Sequence, residues 1–490
     1  MSRLWTAVAA LPLLAACTET VPVEVVLVGI DEGALEDIIV CNDGRQVSEP
    51  TSSTDGARFE LEEGTHFIEI NAKLKDGGWA WGFVRMQDGR SSRLALSKVW
   101  EAVDALPPAE LMGLGGPRVA SLGDGRVVIV GLKEDGSLGA WIWDVLEAEP
   151  ALDYVFIADE VEAGYSATSL DSERVLIAWS SGSTHMAVLD TSGLYVEEAD
   201  SCREVLGKGQ HGAAAFFQPE GDTPTKVLLA GGGETLGAGE DTAVVFDSAP
   251  GEQCTALTMA QRRFAPAVVP YGADKMIVHG GEDEDERPEA AADFQIVSCQ
   301  NGPCGAPFPP DGSPTQRSGH TASWLRLEHS AWILGGTAGQ DGGTTCASPV
   351  VRVDAGELPE DLELDGFRRS GHAAVTISEL LPEGGEAPSG RILVAGGTAC
   401  EATEPCEGSP CGQAGPSNDA VVVAVDQDLP PSLEEEWGSC PICLGDSFGE
   451  PVAVEVASNE VLVIGDGVFR LVNPGPHPAS ASPCGKDRSE

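Results

Sequence analysis

The sequence predicts an all-β chain assembled from repeats of short strands, and three observations carry that expectation. An apolar run stops on paired glycines four times: Val227-Leu228-Leu229-Ala230-Gly231-Gly232, Met276-Ile277-Val278-His279-Gly280-Gly281, Trp332-Ile333-Leu334-Gly335-Gly336 and Ile392-Leu393-Val394-Ala395-Gly396-Gly397. Each run has the length of a buried strand, and two glycines end it where the backbone turns tightly. The runs recur roughly every 50 residues, the mark of a repeat array. Composition agrees: 60 glycines and 33 prolines in 490 residues suit short strands and many turns.

That length allows two or three domains with ample core. The net charge of -49, from 78 acidic and 29 basic residues, argues against nucleic acid or an anionic membrane surface as partner. The same acidity keeps a chain soluble, and a monomer is expected.

Residues 1–16 read as a signal peptide outside the fold. Arg3 supplies the positive charge, and Leu4 to Ala16 form an apolar segment too short to span a bilayer. It ends Leu14-Ala15-Ala16-Cys17, which resembles the bacterial lipobox. That resemblance implies a covalent lipid on Cys17, a new N-terminus there, and attachment to the bacterial cell envelope. With Thr18 next, it implies the outer membrane; an ordinary secretory signal is the alternative. Of 13 cysteines, removing Cys17 leaves an even number, which suits disulfides in an oxidising compartment. Local pairings to expect are Cys202 with Cys254, Cys299 with Cys304, and Cys406 with Cys411. Cys41, Cys346, Cys400 and Cys484 have no obvious mates.

Residues 17–96 read as a small β-sandwich domain. Ile68 to Leu74 alternates apolar and polar residues, as a half-buried strand does, and Trp79, Trp81 and Phe83 alternate likewise. Those tryptophans suit a sandwich core better than a sugar-stacking platform.

From 97 to 475 the repeat takes over, followed by a polar tail at 476–490. Less complete copies of the run stand at Val127 to Gly131, Val175 to Trp179 and Val461 to Asp466, making seven units. Further strands follow the runs, as at Ala243 to Asp247, Val350 to Asp354 and Val421 to Asp426. Before several runs stands a basic-Gly-His phrase: Arg317-Ser318-Gly319-His320, Arg369-Ser370-Gly371-His372 and, more loosely, Gly209-Gln210-His211. This order resembles the kelch repeat, whose unit is a four-stranded propeller blade. The resemblance spans about 110 to 472 and implies a seven-bladed kelch-type β-propeller. In it, His211, His320 and His372 would bond between blades. Met259 to Ala265 resembles the link into a blade, with Phe264 near the usual His. Kelch blades usually carry a Tyr and a Trp after the glycines; here apolar residues stand there instead. The last unit lacks an outer strand, and residues 97–104 are expected to supply it, closing the ring.

Motifs for catalysis are few. Ligands of one metal must converge, and the repeat histidines would be spread around a ring. Cys440-Pro441-Ile442-Cys443 has Cys-x-x-Cys spacing but lacks a second ligand pair or a thioredoxin-like context, so a disulfide role is expected. Gly281 to Glu289 is acidic without calcium-loop spacing and reads as a solvated loop. The Cys400 to Cys411 insert reads as a stapled rim loop. Some kelch-like propellers are copper oxidases using Tyr and His ligands, but no tyrosine adjoins a repeat histidine here. The expectation is therefore a lipid-anchored binding or scaffold protein with no catalytic residues, metal or cofactor. Its ligand would be a protein or a glycan held by propeller rim loops. The alternative is a propeller enzyme acting on extracellular carbohydrate.

Overall fold

The computed structural model describes strands and connections between residues 19 and 475. It leaves out 1–18, 47–57, 200–211, 217–225, 233–239, 282–294, 299–316, 381–388, 400–414, 435–440 and 476–490, with shorter breaks of one to four residues. The described residues are all-β, apart from 3-10 turns at Glu32–Ala34 and Ala109–Leu111.

The N-terminal strands form one hydrogen-bonded path, in the order Arg45–Gln46, Leu35–Asn42, Thr65–Leu74, Trp79–Gln87, Ser92–Lys98, Glu19–Val28, Arg58–Leu61. Glu19–Val28 runs parallel to Ser92–Lys98. Trp79–Gln87 meets Ser92–Lys98 at Ala80–Lys98 and Trp81–Ser97, and there the path folds over itself. Gly82 permits it: a Cβ would lie 2.1 Å from the carbonyl oxygen of Ala95. The fold-over buries Ile38, Val40, Ile68 and Ile70 with Leu94 and Leu96. Trp81 is buried and donates to Glu69 Oε1 at 3.0 Å, but Trp79 is 48% exposed. Alternation alone would bury both; Trp79 begins its strand opposite Lys73, at the end of the ladder.

Small antiparallel sheets follow. The first comprises Gly115–Gly123, Arg126–Leu132, Leu138–Asp144 and Leu152–Ala158. The second comprises Ala163–Ser169, Arg174–Ser180, Thr184–Asp190 and Tyr195–Glu198. Gly212–Phe216, Lys226–Ala230, Glu240–Asp247 and Gln253–Arg263 make the third, and Ala267–Pro270, Lys275–His279 and Gln295–Ser298 the fourth. The fifth has Thr321–Leu325, Ser330–Leu334, Pro349–Asp354 and Glu360–Glu363. The sixth has Ala373–Leu380, Ser389–Ala395, Asp419–Asp426 and Ser432–Leu433. In the last, Val452–Ala457, Glu460–Gly465 and Val468–Asn473 are joined by Glu101–Asp104, which pairs with Arg470–Asn473.

The apolar runs are the second strands, and their continuous hydrophobicity has a simple cause: both faces are covered. Val128 and Val130 pack with Val175 and Ile177 of the second sheet. Val127 and Ile129 pack with Leu462 and Ile464 of the last. Leu176 and Ala178 meet Val227 and Leu229, while Leu228 and Ala230 meet Met276 and Val278. The first strands of successive sheets are neighbours in chain order, and that of the last sheet lies beside Gly115–Gly123.

The N-terminal sheet is fixed to the last sheet by a buried polar cluster. Asn473 Nδ2 donates to Ser97 Oγ at 2.7 Å and to the carbonyl of Trp81 at 3.1 Å. The Ser97 hydroxyl in turn donates to Glu460 Oε1. Burial pushes the Glu460 carboxyl up to about 7, against the opposing effect of the Ser97 bond. The folded protein thus keeps a proton that the unfolded chain releases. Stability from this group is full below the ordinary glutamate value near 4.5, falls as pH rises to about 7, and stays low above it. Glu460→Gln should abolish that fall, which is worth about 3 kcal/mol. Urea unfolding of both proteins at pH 5 and pH 8 checks it; parallel pH dependence in the two would contradict it.

Candidate functional site

The paired glycines join neighbouring sheets. Gly231, Gly232, Gly280, Gly281, Gly335, Gly336, Gly396 and Gly397 all have positive φ, the region glycine enters freely. The turn brings their backbone against the phrase that opens the next sheet. The N–H groups of Gly232, Gly336 and Gly397 donate to the carbonyls of Arg263, Arg369 and Phe448, at 2.9, 2.9 and 2.7 Å. The arginine side chains point onward. Nη1 of Arg263, Arg317 and Arg369 donates to the carbonyls of Gly280, Gly335 and Gly396, at 2.7, 3.0 and 3.2 Å. Arg263 therefore bonds the third sheet's turn with its carbonyl and the fourth sheet's turn with its guanidinium.

These contacts also set the register. A Cβ on Gly280 would lie 2.3 Å from His320 Cε1, and one on Gly335 2.6 Å from His372 Cε1. The corresponding neighbours of Gly231 and Gly396 are Pro266 and Pro451. Pro266, not Phe264, thus stands where the kelch resemblance expects the histidine. Ala265 adopts φ 47° where Gly319 and Gly371 adopt 61°.

His320 Nε2 lies 3.0 Å from Nδ1 of His279, in the preceding sheet, and His372 Nε2 lies 2.8 Å from Thr321 Oγ1. Burial pulls His320 and His372 down to about 3 and His279 well below the ordinary value, so all three are neutral. His279 carried no motif signal beyond its place before the glycines. Among the described residues, no three His, Cys, Asp or Glu side chains gather as a metal site. Cys41, Cys254 and Cys443 are disulfide-bonded. Cys17, Cys202, Cys299, Cys304, Cys406, Cys411, Cys440, His211, the acidic loop after Gly281 and the insert from Cys400 to Cys411 lie outside the described residues.

A site of a different kind lies on the first sheet, at residues no motif marks. A cleft of 720 Å³ is lined by Glu110 and Leu114, by Trp141, Leu152 and Tyr154, and by the turn bearing Lys133, Glu134 and Asp135. Trp141 and Tyr154 are directly opposed across adjacent strands, with ring centroids 5.2 Å apart and planes at 47°. Gly139 makes room for them, since a Cβ there would lie 2.6 Å from Tyr154 and 2.9 Å from Trp141. Trp141 is buried, whereas Tyr154 is 41% and Phe156, next on the same face, 50% exposed. The Lys133 ammonium sits 3.7 Å from the Tyr154 ring centroid and 5.7 Å from that of Trp141. Such a contact is worth about 0.5–1 kcal/mol at an exposed site. The turn is braced: Lys133 N–H donates to the Ser137 carbonyl at 2.9 Å, and Asp135 accepts from Ser137 N–H and Oγ at 3.0 and 2.6 Å. Those bonds hold the Asp135 carboxyl below its ordinary range, suiting it to accept hydrogen bonds rather than to act as an acid. A concavity of this size with aromatic and charged walls is a candidate ligand site.

Two outcomes test the junctions. Gly335→Ala would drive a Cβ to 2.3 Å from the Arg369 carbonyl in a left-handed conformation, whereas Gly77, also at positive φ, has open space. Gly335→Ala should cost at least about 2 kcal/mol more than Gly77→Ala in urea unfolding. Equal losses would mean the close approach is not constraining. His372 is depressed, so its contribution is full above the ordinary value of 6.5 and is lost as pH falls toward 3. His372→Gln should unfold less steeply than the parent between pH 6 and pH 4 by circular dichroism.

No family model matches the chain, and no curated protein matches it. Among solved structures, one described as "Structure of YjhT" is similar over 66% of this chain and 98% of its own, at 13% identity and a TM-score of 0.40. A likeness that weak bears on no residue's role.

Proposed function

We propose that this chain is a lipid-anchored binding protein of the bacterial cell envelope, with a seven-bladed kelch-type β-propeller as its recognition domain. The ring reading is supported by the cyclic neighbour order of the first strands and by the pairing of Glu101–Asp104 with Arg470–Asn473. Anchoring through Cys17 is supported by the lipobox-like Leu14-Ala15-Ala16-Cys17. The observation that carries the function is the cleft lined by the Trp141–Tyr154 pair and the Lys133–Asp135 turn. It offers an aromatic face, with Glu134 and Asp135 on a braced turn and Glu110 in the same lining, for holding a segment of a protein or a glycan.

A ligand that binds the folded state alone must raise the melting temperature as its concentration rises. Screening the full chain against short peptides and envelope oligosaccharides should find at least one ligand that does so. Tyr154→Ala should weaken it at least tenfold by calorimetry while leaving the unliganded melting temperature within a few degrees. A shift that survives Tyr154→Ala would put recognition elsewhere. A saccharide consumed rather than bound would favour the enzyme reading.

A further inference from the structure

We infer that the occupant of this cleft is a cation: a lysine or arginine side chain on an exposed segment of a partner protein. The inference rests on the binding role proposed for the cleft and names its chemistry. The chain supplies its own stand-in, because the Lys133 alkylammonium already lies on the Tyr154 face, 3.7 Å from its centroid. The corner formed by Tyr154 over Trp141 is thus shaped for such a group, and an arginine guanidinium would stack there equally well. Glu110, Glu134 and Asp135 line the same space, on a chain of net charge -49. An anionic ligand would meet three carboxylates. A neutral saccharide would gain nothing from their charge, whereas a cation gains from it and can take the place of Lys133 on the ring. The incoming cation replaces Lys133, whose side chain swings into solvent while the bonds between Lys133 N–H and Ser137 keep its backbone in place. Lys133 is therefore an internal competitor that limits affinity for weakly basic surfaces.

The test is calorimetry on the full chain with a capped lysine-rich tetrapeptide, its arginine counterpart, and an ε-acetylated lysine control. Lys133→Met removes the competitor and should tighten binding of both basic peptides by about 2- to 5-fold. Tyr154→Leu keeps apolar bulk without the aromatic face and should weaken binding by about the same factor. The acetylated peptide should not bind. Equal binding to the parent and both variants would be diffuse attraction to an acidic surface, and would overturn the inference. A neutral oligosaccharide that binds in a Tyr154-dependent way, with no basic peptide binding, would overturn the cation and leave the binding role standing. No Tyr154-dependent ligand of either kind would overturn both.

Discussion

The arrangement of the third to sixth sheets depends on a backbone constraint: the chain must turn left-handed twice after each of their central strands. Only then does the N–H of the second glycine reach the carbonyl that opens the next sheet, as Gly336 reaches Arg369. Side chains cannot share that space, because the neighbouring carbonyl and imidazole already fill it. The apolar runs supply the hydrophobic driving force, but force of that kind has no direction. The glycine turns supply direction, and the arginines make it cooperative by bonding two turns at once.

A very acidic protein thus keeps several of its few cations inside. Arg263, Arg317 and Arg369 are buried on glycine carbonyls, and Arg369 also meets Asp419 at 3.1 Å. Arg391 pairs with Glu434 at 2.6 Å and donates to the carbonyls of Pro474 and Gly475, fixing the end of the last sheet to the sixth. A buried charge is tolerated only when its hydrogens are taken up, and the planar five-donor guanidinium does that better than an ammonium. Buried arginines thus hold the junctions, two of them paired with the buried carboxylates of Asp419 and Glu434.

All-β architecture was legible because a strand covered on both faces must be apolar throughout, as Val127 to Val130 is. Register was less legible. Pro266 replaces His320 and His372 in the third-to-fourth junction, and Ala265 replaces glycine there, so the phrase loses its letters while keeping its backbone. The cleft was not legible at all. Lys133, Trp141 and Tyr154 lie on a turn and two strands, and Trp141 reads as ordinary core; only the cross-strand pairing unites them. Gly139, a glycine inside an apolar strand, was the one local hint that something crowded that point.

The last sheet borrows a strand from the start of the chain, and that has a kinetic consequence. Asn473 bonds Ser97 across 376 residues of sequence and Trp81 across 392. Loop closure on that scale is slow and entropically costly, so it comes late in assembly. Until Arg470–Asn473 is available, Glu101–Asp104 is an unpaired edge, and the N-terminal sheet has nothing to dock on. A chain stopped short by a few dozen residues would keep most of its local sheets yet leave Glu101–Asp104 without its partner strand.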